Sequence, residues 1–274
     1  IFTWIRRLGV APYFILAFAI SWGGLLLVIG GAAGLPATPE EFNQLMPLVV
    51  LTYVAGPSIA SLLLTGLICG QTGLRYLFSL LLRWRVDARW YAVALLTAPL
   101  LTSAIFLALS LISPGFLSAV VTTDDTASLL LLAIVVGLLG GFLEELGWTG
   151  FAIRRLKPRH GILATGLIVG ALWGASHFLV NAWWSGINSG DLPLAIFLPL
   201  YFLIGVAQLT AYRVLMVWVY DRTESLLVAT LMHASLIVST VALVPPLTGV
   251  VFLTWFFLFT VALWVVVAAV AVMN

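Results

Sequence analysis

Charge is what this 274-residue chain has least of: Asp, Glu, Lys and Arg together make up 8% of it, against 63% hydrophobic residues. A soluble domain carries about 25% charged residues, so a water-soluble globule is excluded. Cysteine is nearly absent as well. The single Cys69 cannot form an intrachain disulfide and, set in an apolar run, reads as a small packing residue. Strict alternation of polar and apolar residues is missing too, which excludes a membrane β-barrel. No internal repeat, low-complexity tract or soluble appendage interrupts the pattern, and the reading is one transmembrane domain over residues 1–274.

What is present is a series of apolar runs near the ~20 residues that cross a bilayer as helix. Runs and breaks predict an all-α polytopic bundle of about eight spans, near 11–30, 47–69, 90–112, 128–153, 161–184, 193–212, 225–244 and 249–272. Pro36, Pro39 and Pro47 bracket the first connection, Ser113, Pro114 and Gly115 end the third span, and Pro245 and Pro246 separate the last two. The first run, behind Arg6 and Arg7, is read as a span and not as a leader, because its loss would leave an odd number. With the N-terminus in the cytosol, all 12 basic residues fall on the cytosolic side: Arg6, Arg7, Arg75, Arg83, Arg85, Arg89, Arg154, Arg155, Lys157, Arg159, Arg213 and Arg222. The other side holds Glu40, Glu41, Asp124, Asp125 and Asp191, so both termini are expected in the cytosol of a prokaryotic cell. Orientation thereby accounts for the basic residues, and the net charge of +2 gives no reason to expect a nucleic-acid partner. The sequence sets no oligomeric state.

Once the loops are set aside, the ionisable residues left inside the membrane are Glu144, Glu145, His177 and His233. Burying even one charged carboxylate costs several kcal/mol, and ionisable groups within spans mark functional sites by default. On a helix Glu144 projects with Gly137, Gly140 and Gly141, while Glu145 projects with Gly141, Trp148 and Thr149. The glycines would admit a second helix against the Glu144 face. Glu144 is therefore expected to face a packed centre, and Glu145 to contact a neighbouring helix or Trp148. Each histidine alone could be an ordinary core residue, as the glutamates could be a structural polar knot. Two buried histidines and a buried diacid form an expensive set unless they meet.

Such a set suits three chemistries: a glutamate base acting on water with histidines stabilising the oxyanion, a zinc site of His177, His233 and Glu144 or Glu145, or a proton or cation path. HExxH, GxSG and GxGD are all absent, which argues against the usual zinc helix and against serine and aspartyl intramembrane proteases.

The segment EELGWTGFAIRRL, followed by ALWGASHF and LMHAS and preceded by GPSIASLLLTGLICG, resembles the CPBP family of intramembrane proteases, which includes Rce1-type CAAX prenyl endopeptidases and bacterial Abi members. The similarity covers roughly residues 50–240, with the catalytic core expected about 128–240. The resemblance implies hydrolysis of a peptide bond in a membrane-associated substrate, prenylated CAAX proteins being one such class, without a metal or other cofactor. It assigns Glu144 to water activation, Glu145 as its partner, His177 with Trp173 to the second motif and His233 to the third. Zinc is the alternative cofactor. A non-catalytic scaffold or transporter that kept the polar cluster is the alternative outside enzymes.

Two positions depart from the family pattern. Thr149 stands where the first motif has Arg, and Ile237 where the third has Asn, a residue implied in the oxyanion site. Asn181, one turn after His177, Ser235 and Ser239 are candidate replacements. Glu144 is expected within about 5 Å of His233, with His177 bordering a water-filled pocket open to the cytosol. At ~1.5 Å per residue His177 lies deeper than the other two, so the fourth helix is expected to run on, its last turns RRLKPR projecting into the cytosol.

Overall fold

The computed structural model describes residues 9–273, so Arg6 and Arg7, used above to orient the chain, lie outside the described residues. In hydrocarbon every backbone polar group must be satisfied within the chain, and apolar runs of this length do so as helices. Among the described residues there is no strand. Among the described residues the longer helices are α1 (Ala11–Val28), α2 (Pro39–Ser79), α3 (Ala88–Ser110), α4 (Thr126–Gly147), α5 (Arg154–Ser176), α6 (Phe178–Asn188), α7 (Leu194–Thr223), α8 (Leu226–Leu243) and α9 (Gly249–Met273). A π-helical stretch, Trp148–Ile153, joins α4 to α5.

Local signals set several of the boundaries. Thr38 and Glu41 form a reciprocal capping box ahead of Pro39, while Asp125 and Ser225 accept the backbone N–H groups of Ser128 and Val228 at the starts of α4 and α8. Among the described residues seven helical stretches are long and apolar enough to cross a membrane. One of them, Thr126–Ser176, is 51 residues long and is interrupted at Gly161, whose φ of 71° lies in the left-handed region that side chains disfavour. Such a length exceeds twice the ~20 residues of one crossing, so about eight spans is compatible with the fold.

Three expectations need correction. Pro47 lies within α2 and not in the first connection; membrane helices tolerate proline because neighbours satisfy the freed backbone groups. The fifth predicted span is broken at His177, which caps α5 before α6 begins. The sixth does not end at 212: α7 continues to Thr223 and carries Arg213 with it.

Helix α5 packs along α7, α1 along α2, and α9 along α7, while α8 is held between α4 and α3 and is the most enclosed of the candidate spans. Leu27, Leu107, Leu131, Leu203 and Val265 on the outside are 63% to 85% exposed. Apolar exterior and polar interior together suit a bundle solvated by lipid.

Candidate active site

Close packing of α4 on α8 builds the site. A Cβ on Gly137 or Gly141 would run into the backbone carbonyl oxygens of Ala234 and Thr230, and one on Gly140 would meet Ile237. These glycines let the two backbones approach and bring His233 over the glutamates. From the other side, α2 ties down the same turn of α4: Ser58 donates to the Leu143 carbonyl and Ser61 to that of Leu146 at 2.8 Å.

Glu145 is completely buried and its hydrogen-bonding capacity is filled. Arg213 Nη1 lies 2.9 Å from its Oε1 and 2.8 Å from its Oε2, His233 Nδ1 lies 2.7 Å from Oε1, and Thr149 donates to Oε2. Because a carboxylate only accepts, His233 donates through Nδ1 and turns Nε2 the other way. Glu144 is 3% exposed and more sparsely held. Its Oε1 accepts the indole N–H groups of Trp148 at 3.1 Å and Trp173 at 3.2 Å, and its Oε2 stands 3.5 Å from His233 Nε2. Of the two contacts expected for Glu145, a neighbouring helix or Trp148, it makes the first, to Arg213 of α7 and His233 of α8, while Trp148 serves Glu144 in line with i, i+4 spacing: Glu144 pairs with Trp148, and Glu145 with Thr149.

Trp173 sits between the two histidines, its ring 4.9 Å from that of His233 and 5.9 Å from that of His177. His177 Nδ1 is 2.8 Å from the Trp173 carbonyl and 2.9 Å from the Tyr53 hydroxyl. A carbonyl only accepts, so Nδ1 carries the proton and Nε2 is left as the acceptor. Tyr53 also hydrogen-bonds Ser176 at 2.8 Å, and the Trp22 indole donates to the Ser176 carbonyl at 2.7 Å. Helices α1 and α2 thereby brace the end of α5.

The candidate oxyanion donors fare differently. Ser235 donates to the Leu95 carbonyl and Ser239 to that of Ser235, so both hydroxyl protons are committed elsewhere. Asn181 is buried with its amide nitrogen beside Gly205 of α7. Access differs from the expected open pocket: Glu144, Glu145 and His233 are all closed over, and His177 is the partly exposed member. A groove of ≈ 350 Å³ between α3, α4 and α8 is lined by Leu95, Ile134, Leu138 and Val238 among others and reaches none of the four ionisable residues. Among the described residues no three His, Cys, Asp or Glu side chains stand together as a metal-binding group.

Sequence reasoning missed Arg213 and Tyr53. The charge pattern assigns Arg213 to the cytosol, but it is 0% exposed, ion-paired to Glu145 and stacked on Trp173 with 4.0 Å from its guanidinium carbon to the ring. The available signal was the apolar run VLMVWVY directly after it, which continues the span.

Comparison with known proteins agrees with the motifs. Residues 126–239 match the sequence model of the family described as type II CAAX prenyl endopeptidase Rce1-like. No curated protein matches the chain. The family implies a protease and, with the apolar helices, an integral multi-pass membrane protein. The segment 126–239, which holds Glu144, Glu145, His177, Arg213 and His233, is the part of the chain that is similar to the Rce1-like type II CAAX prenyl endopeptidases.

Proposed function

We propose that this protein is a metal-independent intramembrane endopeptidase in which Glu144 activates water against a peptide bond of a membrane-associated substrate, with the site reached from the cytosolic side. The observation that carries the reading is the asymmetry of Glu144: two indole N–H groups hold Oε1, while Oε2 is left beside His233 Nε2 at 3.5 Å. In the reaction Oε2 takes a proton from water as the oxygen attacks the carbonyl carbon. His233, neutral and protonated on Nδ1 at rest, takes that proton from Glu144 on Nε2 and donates from it to the oxyanion; the proton then passes back through Glu144 to the leaving amine as the C–N bond breaks. His177 offers Nε2 as an acceptor that orients the water. No group beyond the chain enters these steps.

Cleavage of a membrane-anchored peptide panel, prenylated and not, by purified protein tests the proposal. Wild type cleaves, Glu144→Gln and His233→Ala do not, and chelation leaves the rate unchanged. Stoichiometric zinc whose removal abolishes cleavage would replace the glutamate mechanism with a zinc one.

One observation favours a second reading, a membrane scaffold without catalysis. Ile237 places hydrocarbon against Gly140 where the family motif has an amide, and the neighbouring serines are committed to carbonyls. No cleavage of any peptide by a folded, correctly inserted protein would favour it.

A further inference from the structure

We infer that Arg213 on α7 is a positioning residue for the reaction: through Glu145 it fixes the tautomer and direction of His233, and so the presentation of His233 Nε2 to Glu144. The inference rests on the proposed glutamate mechanism and adds to it a residue from a helix that contributes neither the base nor either histidine.

Geometry forms a chain of four groups. Arg213 Nη1 reaches both oxygens of Glu145, Glu145 Oε1 accepts from His233 Nδ1 at 2.7 Å, and His233 Nε2 faces Glu144 Oε2 at 3.5 Å. Arg213 and Glu145 are both 0% exposed, so no water screens or replaces the pair. A buried carboxylate without a cation takes up a proton or recruits another donor, and in either case it ceases to be a dedicated acceptor for Nδ1–H. His233 would then populate both tautomers, and the Nε2–H form would present Glu144 with a donor in place of the acceptor.

Why this guanidinium is aimed, and not merely accommodated, is visible in its surroundings. Close packing along α5 and α7 leaves no lateral freedom: a Cβ on Gly170 would strike Thr210 and the Arg213 Cβ. Trp173, the residue that donates to Glu144, covers the guanidinium face at 4.0 Å. One indole therefore touches the Arg213 cation on its face and Glu144 through its N–H, so any displacement of Arg213 is felt at both glutamates. Thr149, in the π-helical stretch one turn beyond Glu145, supplies only a neutral hydroxyl, which leaves Arg213 as the cation on this carboxylate. Both contacts to Glu145 come from the single nitrogen Nη1, so a lysine ammonium delivered to that point can do most of the same work.

The test uses the full chain in detergent or nanodiscs, with wild type, Glu144→Gln, Arg213→Met and Arg213→Lys compared by peptide cleavage and by ¹⁵N NMR of the His233 ring. Arg213→Met is expected to lower kcat about 10²-fold, the size of effect that misplacing a reacting group produces. KM should stay within about threefold, since substrate binding is not touched. His233 should change from a single Nδ1–H tautomer to a mixture, and Arg213→Lys should restore kcat to within about tenfold together with the single tautomer. Should Arg213→Met not fold, Arg213→Gln removes the charge while keeping hydrogen bonds, and the same two readouts apply. A folded neutral variant with wild-type kcat and an unchanged His233 signal would overturn the inference while leaving the glutamate mechanism intact. Absence of cleavage by wild type, or full activity of Glu144→Gln, defeats the mechanism instead, and the His233 signal then decides the positioning role on its own.

Discussion

Two carboxylates adjacent in the chain occupy opposite kinds of surroundings. Around Glu145 every oxygen is taken up, by a guanidinium, an imidazole and a hydroxyl, all of them buried. Around Glu144 one oxygen is held by two indoles and the other faces only an imidazole beyond ordinary hydrogen-bond length. Under the proposed mechanism the contrast separates an anchor from a base. A group whose lone pairs are all committed organises its neighbours, whereas a group held at one end and free at the other can exchange a proton without dismantling the site.

The largest effect that would break this contrast is on rate. Glu144→Gln keeps shape and one acceptor for the indoles but removes the base, so cleavage should fall by ~10² to 10⁴ while the melting temperature in detergent barely moves. Comparable activity in that variant would mean the free oxygen is not the one that matters. Glu145→Ala should show the reverse weighting. It strands Arg213 in the bundle without its partner, and removal of one member of a buried ion pair costs about 3–5 kcal/mol, so a large drop in melting temperature is expected. A Glu145→Ala protein as stable as wild type would end its description as the anchor.

Next in size are the indoles. Trp148→Phe and Trp173→Phe each delete one N–H donated to a charged oxygen, worth about 1.5–3 kcal/mol. If that hold is needed to aim Oε2, kcat should fall by about 10- to 100-fold in each variant with little change in KM. Loss of stability without loss of rate would make the tryptophans packing residues.

Much of the architecture was legible in the sequence, because hydrocarbon leaves a chain few options: apolar run length gives helices, and caps such as Thr38 and Asp125 give their starts. The glycine face of α4 likewise announced a close partner helix, and that partner is α8. Arg213 was legible only through the apolar run that follows it, and its carboxylate partner and Tyr53 were not legible. A charge beside an apolar run normally ends a span at the interface, and only the buried carboxylate on another helix makes an interior arginine tolerable. Tyr53 gave no signal at all, since one tyrosine in an apolar helix looks like an interfacial or packing residue until its hydroxyl is seen against His177 and Ser176. The break at His177 was hidden for the same reason: the residues on either side are as apolar as any span, and the bend is held by side-chain bonds from α1 and α2.

The smallest expected effect separates His177 from the centre. Its Nδ1 proton has two acceptors, the Trp173 carbonyl and the Tyr53 hydroxyl, at 2.8 and 2.9 Å. Tyr53→Phe removes one of them and leaves the other, so the Nδ1–H tautomer should survive and Nε2 should still be the acceptor. The ring of Tyr53 packs edge-on to His177 with centroids 5.0 Å apart, and phenylalanine keeps that contact. What is lost is one neutral hydrogen bond in each direction, about 0.5–1.5 kcal/mol apiece. A modest fall in melting temperature and a three- to tenfold fall in kcat are therefore expected, the latter from a looser ring. Side-by-side kinetics of Tyr53→Phe and Glu144→Gln check this. A loss in Tyr53→Phe as large as that in Glu144→Gln would place the hydroxyl in contact with the reacting groups, as the oxyanion donor that Ile237 does not provide.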